Sequence, residues 1–203
     1  EYFIVTKLSN QEQREGNVPS GARRQYTSDT ETYVNEYKKI IEYIIDNLKT
    51  DVLLLAHVIH VSDSNDKIII DKIMEELEPC YQEHIHVVDQ LIFPYEARIL
   101  LGGGLATITG RMHAAVSSIN MGTVPICLSY SVKFKGVIGD DFGLNDYIYQ
   151  CRGDEIWSEG CVHDEVINRL NMALQNREQL VSQIERELRK VQKKSLLQIE
   201  ELF

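Results

Sequence analysis

Short apolar runs of strand length alternate along this chain with segments of helical period, and that alternation constrains the fold more than any single motif does. Tyr2–Thr6, Asp51–Val58, Ile85–Val88, Leu105–Thr109 and Val124–Leu128 are such runs, rich in Val, Ile, Leu and Thr and mostly without polar alternation. Strands of that composition are covered on both faces, as in a parallel sheet. Between them lie amphipathic stretches. Thr32–Leu48 carries Tyr33, Tyr37, Ile40, Ile41, Ile44, Ile45 and Leu48 at spacings of three and four, the signature of a helix with one broad apolar face. Lys67–Leu77, Tyr95–Leu101, Met112–Met121 and Cys161–Leu174 are read as further helices, and Tyr147–Tyr149 as an edge strand. Strand-helix-strand repetition implies an α/β fold, a Rossmann-like parallel sheet with helices on both faces.

The domain reading takes 1–174 as this α/β domain and 175–203 as a charged carboxyl-terminal helix. Leu180, Ile184, Leu188 and Val191 give that helix a possible packing face, and a missing amino-terminal domain is a possible partner for it. The segment Ser9–Thr30 is polar, has no periodicity and contains Gly16, Pro19 and Gly21. A connector of that length in an α/β domain is either a plain solvated loop or a binding loop, and Arg14, Arg23 and Arg24 make it a candidate anion clamp. Gly102, Gly103 and Gly104 match neither a phosphate loop nor a dinucleotide fingerprint, so they read first as a helix stop and tight turn.

Charge and cysteine content narrow the function. The chain has 31 acidic and 21 basic residues among 203, a formal charge of −10, which argues against a nucleic-acid footprint. A few convergent basic groups can still hold a small anion, because exposed charges farther off than a Debye length are screened. Cys80, Cys127, Cys151 and Cys161 show no CxxC spacing, so reduced thiols in a cytoplasmic protein are expected, with neither a metal nor a cofactor. No apolar stretch is long enough for a membrane span.

One stretch concentrates chemistry. In TITGRMHAAVSSINMGTVPI, Thr107–Ile126, a strand, a glycine, an Arg-x-His pair and a helix of small residues follow in direct succession. Residues two apart in a regular helix diverge, but at a strand-to-helix junction the irregular first residue lets Arg111 and His113 face one cleft. The first helical turn adds unpaired N–H groups and the positive end of the dipole, which favour phosphate or carboxylate. Arg111 could grip such a group through two parallel bonds, with His113 near enough to exchange a proton. Lys133, in SYSVKFKG, lies in a loop at the same carboxyl edge of a parallel sheet, with Lys135 as its rival and Tyr130 as a wall or orienting residue. His57 and His60 lie near the end of the 51–58 run, and Asp66 reads as a helix cap. Read alone, the same residues fit a structural ion pair at Arg111, a packed helix start at His113 and a solvated Lys133.

The block Ile108–Gly136, ITGRMHAAVSSINMGTVPICLSYSVKFKG, resembles the polysaccharide pyruvyl transferase family in its strand, Arg-x-His, small-residue helix, Gly-x-Pro strand, and tyrosine followed by lysine. Looser similarity runs from the first strand through LLAHVIHVSDSND, Leu54–Asp66. The resemblance implies the carboxyl-terminal half of a two-domain, GT-B-like enzyme, with the missing amino-terminal half forming the other wall of the cleft. It implies phosphoenolpyruvate as donor, a polysaccharide or precursor sugar as acceptor, and a ketal as product. His113 matches the catalytic histidine, Arg111 the donor-binding arginine and Lys133 the basic residue after the tyrosine. Lys7 stands at the end of the first strand where relatives often show arginine. The donor and anion set is therefore Arg111, Lys133, Lys7 and His57, with Arg23 and Arg24 as a possible clamp. A nucleotide-sugar glycosyltransferase, with Asp154 or Glu155 toward the ribose, is the alternative enzyme. A non-catalytic anion- or sugar-binding domain is the second alternative, and a homo-oligomer is compatible with all three.

Overall fold

The computed structural model describes residues 2–6, 30–59, 65–151, 156–157 and 159–200. Among them, six strands form one parallel sheet in the order β3-β2-β1-β4-β5-β6. The strands are β1 Tyr2–Thr6, β2 Asp51–Leu55, β3 Ile85–Val88, β4 Ala106–Thr109, β5 Val124–Ser129 and β6 Ile148–Gln150. This is the Rossmann-like order, in which the chain first builds outward from β1 to β3 and then restarts at β4 on the other side of β1. The expected α/β class is therefore observed.

The helices follow the apolar periodicity closely. They are α1 Thr30–Leu48, α2 Asp66–Glu76, α3 Pro79–Gln82, α4 Pro94–Gly103, α5 Met112–Asn120, α6 Val162–Gln175 and α7 Arg177–Glu200. Tyr33, Val34, Tyr37, Ile40, Ile41 and Ile44 of α1 are all buried against one sheet face, where Phe3, Val5, Val52 and Leu54 meet them. The opposite face holds a smaller cluster of Ile4, Leu53 and Leu55 with Leu101 of α4 and Ala114 of α5. Alternate residues of β1 and β2 thus enter two cores, which explains their unbroken apolar runs. Leu180 and Ile184 bury the first half of α7, and Gln183 donates to the Phe142 carbonyl at 2.8 Å, whereas Leu196 and Leu197 are exposed.

Several boundaries differ from the sequence reading for definite reasons. β2 stops at Leu55 rather than Val58, because Ala56 N–H still reaches the Val88 carbonyl but the next two amides turn to the Asp66 carboxylate. Helix α4 runs through Gly103 instead of stopping at Leu101. Its glycines serve close packing on β1: a Cβ at Gly103 would lie 2.5 Å from the Tyr2 hydroxyl and one at Gly104 2.7 Å from Ile4 Cδ1. Gly122, at φ 78°, takes the left-handed position just past α5. The loop after β5 winds into a π-helical turn, Lys135–Asp140.

Candidate functional site

The β4–α5 junction is built to present Arg111 and His113. Thr109, buried at the end of β4, accepts the Arg111 N–H on its hydroxyl at 2.9 Å. Arg111 itself is the N-cap of α5, extended at φ −99° and ψ 116°, and its carbonyl accepts from Ala115 N at 3.0 Å. The helix that follows lies tight on the sheet because its inward residues are small: Ala114, Ala115 and Ser118 are buried, and Ser118 donates to the Thr107 hydroxyl at 2.9 Å. Arg111 makes no side-chain cap of its own helix. His113, in the first turn, is exposed.

Arg111 does not stand alone. Its Nη2 donates to Asp66 Oδ1 at 2.9 Å, with Asp66 fully buried and the Arg111 side chain 14% exposed. The second oxygen, Oδ2, accepts the backbone N–H of His57 at 2.9 Å and of Val58 at 3.0 Å. The carboxylate is thereby held by charge-assisted bonds on both sides, the condition under which a buried charge is tolerated. One aspartate joins the end of β2 to the end of β4 across β1.

The reading of Asp66 as a helix cap is corrected here. Asn65 is the N-cap of α2, its side chain accepting from Lys67 N at 3.0 Å, and Asp66 is the first helical residue, with its carboxylate turned inward. His57, by contrast, is brought into the site. It feels the charges of Arg111, Asp66 and His113. The residue is exposed, yet the protein around it removes part of the ring's hydration. That partial burial lowers its pKa below the usual 6.5, the Arg111 guanidinium and more weakly His113 push it the same way, and Asp66 opposes them.

Behind this cluster, Tyr33, Tyr37 and Trp157 form an aromatic wedge, with the Tyr33 and Trp157 ring centroids 4.4 Å apart. Burial pushes the Tyr33 hydroxyl up, although the 3.3 Å hydrogen bond it shares with the Tyr37 hydroxyl pulls it back, and Asp66 and Arg111 act on it more weakly. Lys133 is exposed in the loop after β5, and Tyr130 meets Phe134 edge-on at 5.8 Å. Lys135, its rival, is occupied on the surface, bonding both Asp140 oxygens at 3.0 Å. Lys7, Arg14, Arg23, Arg24, His60, Asp154 and Glu155 lie outside the described residues.

The arrangement gathers an anchored guanidinium, the first turn of α5 with His113, and His57 at the carboxyl edge of the sheet, beside the switch point between β1 and β4. The family model for polysaccharide pyruvyl transferases matches residues 3–132, 130 of the 203 positions. The chain belongs to that family. Its matched stretch contains all of β1 but Tyr2, β2 through β5, and every described member of the His57, Asp66, Arg111 and His113 cluster, and it ends one residue before Lys133. A search of the curated proteins finds no match. Among the described residues no helix is long and apolar enough to cross a membrane, and no three His, Cys, Asp or Glu side chains converge as a metal site. None of the four cysteines forms a disulfide.

Proposed function

We propose that this polysaccharide pyruvyl transferase takes phosphoenolpyruvate as donor and forms a pyruvate ketal on a sugar, with His113 as the proton donor and Arg111 as the principal anion ligand. The observation that carries the reading is the cluster itself: an Arg-x-His junction at a helix N-terminus, with the arginine anchored by buried Asp66 and with His57 beside it. In this reading Lys133 and Lys7 add positive charge at the same edge, and Arg23 and Arg24 close over the donor.

The chemistry balances without a cofactor. A His113 imidazolium gives its proton to the methylene carbon of phosphoenolpyruvate, turning the methylene into a methyl group and leaving positive charge on the neighbouring carbon. One sugar hydroxyl adds there, phosphate leaves with the C–O bonding pair, and a neighbouring hydroxyl adds in turn to close the ketal. The two hydroxyl protons pass to phosphate and to the neutral His113. Because Asp66 offsets the charge of Arg111, the donor's carboxylate and phosphate depend on the protonated imidazoles, the lysines and the α5 amides for the rest of their neutralisation.

The reading also takes residues 1–174 as the α/β domain and the helix from 175 onward as the element facing the other half of the cleft. Leu196 and Leu197 are the exposed residues such a half would cover. The test is calorimetry with phosphoenolpyruvate and with a nucleotide sugar on the full protein, followed by turnover of His113→Ala. Donor binding retained and turnover lost in the variant is the expected result. Preference for the nucleotide sugar, or unchanged turnover in His113→Ala, overturns the assignment.

A further inference from the structure

An exposed apolar segment between β3 and α4 is not used by the chemistry above. Leu91, Phe93, Tyr95 and Ile99 are 75%, 65%, 61% and 63% exposed, an accumulation that soluble proteins keep for binding surfaces. Phe93 and Tyr95 are stacked, ring centroids 5.7 Å apart and planes within 10°. Their backbone is stiff: Pro94, between them, begins α4, and Glu96 accepts the Phe93 N–H at 2.7 Å. The two aromatic faces are therefore held in place before anything binds.

Their position is fixed relative to the donor cluster. The segment follows β3, whose last residue accepts the Ala56 N–H at 2.9 Å, one residue before His57. Lys67, next to Asp66, bonds Asp89 at the start of the same segment. In the order β3-β2-β1-β4 the ends of β3 and β4 are three strand spacings apart, about 14 Å. Both the β3–α4 segment and the β4–α5 junction leave the carboxyl edge of the parallel sheet, so the aromatic pair and the Arg111 junction follow strand ends on the same edge.

We propose that Phe93 and Tyr95 form a platform for the acceptor glycan, holding sugar units away from the one that receives the pyruvyl group at Arg111 and His113. The proposal rests on the pyruvyl-transfer reading. Pyranose rings present a face of C–H groups, weakly positive, which lies against the negative face of an aromatic ring, and their hydroxyls project at the rim. Gln90 and Arg98, both exposed and within a few residues of the pair in the chain, and the Tyr95 hydroxyl are the polar groups nearest in sequence. A polysaccharide acceptor, which the family name specifies, has the length to reach both places.

The test compares the full protein with Phe93→Ala/Tyr95→Ala on an array of neutral and amino-sugar oligosaccharides, with phosphoenolpyruvate binding measured separately by calorimetry. Both side chains are mostly exposed, so the variant keeps its fold. The expected result is glycan binding by the wild type that falls at least about tenfold in the variant, in line with losing one partly covered aromatic face. Donor affinity stays unchanged, and Phe93→Tyr restores glycan binding when made in place of the alanine. Glycan binding that survives the double substitution overturns the platform, as does a wild type that binds no glycan. A change in oligomeric state with unchanged glycan binding overturns it in favour of a protein interface. Loss of phosphoenolpyruvate binding in the wild type counts against the donor reading alone.

Discussion

Asp66→Asn separates the anchoring of Arg111 from the simple sum of charge near the donor. The carboxylate is fully buried and serves Arg111 through one oxygen and the His57 and Val58 amides through the other. An asparagine of the same shape has a single acceptor oxygen. If it stays on the backbone amides, its NH2 group faces the guanidinium; if it turns to Arg111, the NH2 faces two N–H donors. Either way one charge-assisted bond is lost and donors are opposed, about 2–4 kcal/mol by the usual worth of such bonds in a buried setting. In a domain of this size that lowers the unfolding temperature by roughly 5–15 °C.

The effect on the donor decides the argument. Removing a negative charge beside an anion site would, by Coulomb attraction alone, tighten phosphoenolpyruvate binding. If Asp66 instead holds Arg111 in the orientation that grips the donor, affinity falls despite the gain in positive charge. Thermal unfolding measures the first effect and calorimetry at low salt, on the folded variant, the second. A melting temperature within about 2 °C of wild type, together with equal or tighter donor binding, refutes the anchoring role. Arg111→Lys guards against a variant that fails to fold. It keeps the charge but lacks the planar fork, and weaker donor binding at a retained melting temperature is expected.

The pKa of His57 is lowered in the folded protein, so the unfolded chain takes up its proton first and wild-type stability falls as pH drops through 6.5. His57→Gln is expected to show a shallower loss of melting temperature just below pH 6.5, and donor binding to the wild type is expected to draw in protons, read by calorimetry in buffers of different ionisation enthalpy. Glu36, fully buried, accepts from the His163 backbone and ring nitrogens at 2.8 Å each and from Lys39 at 3.0 Å. Burial alone would raise its pKa, but these bonds together outweigh it and the net shift is downward. Its contribution is therefore present above the usual 4.5 and lost as pH falls through the depressed value. Glu36→Gln is expected to cost about 1–3 kcal/mol at neutral pH, with the gap to wild type closing below pH 4.5 in a melting series. Gly104→Ala places a Cβ 2.7 Å from buried Ile4 Cδ1 and is expected to destabilise by about 1–3 kcal/mol, measured by urea unfolding.

What the sequence made legible was local. The apolar runs marked β1 to β5 because strands covered on both faces carry their burial in consecutive residues, and α1 was legible because its buried side chains recur at three and four. Arg111 and His113 were legible for a similar reason: strand, glycine, N-cap and small-residue helix are contiguous in the chain. Asp66 was not, since its partner is 45 residues away and nothing near Asn65 distinguishes an aspartate that caps from one that turns inward. That distinction depends on β1 lying between β2 and β4, a fact of strand order rather than of local pattern. The lysines after β5 were obscured by local geometry instead. Lys133 and Lys135 read alike in the sequence, and only the π-helical turn shows that Lys135 pairs with Asp140 on the surface.

The cluster therefore has a division of labour that follows from geometry. Arg111 is fixed by a buried carboxylate and contributes direction more than net charge, because the carboxylate offsets it. In the proposed reaction the charge that answers the donor comes from the neighbours of Arg111, and among them His57 feels the charges of Arg111, Asp66 and His113 and has a lowered pKa. The lowered pKa of His57 favours its neutral ring in the empty site and an arriving anion favours its imidazolium, so in the proposed reaction donor capture and proton uptake at His57 are driven by the same electrostatic work.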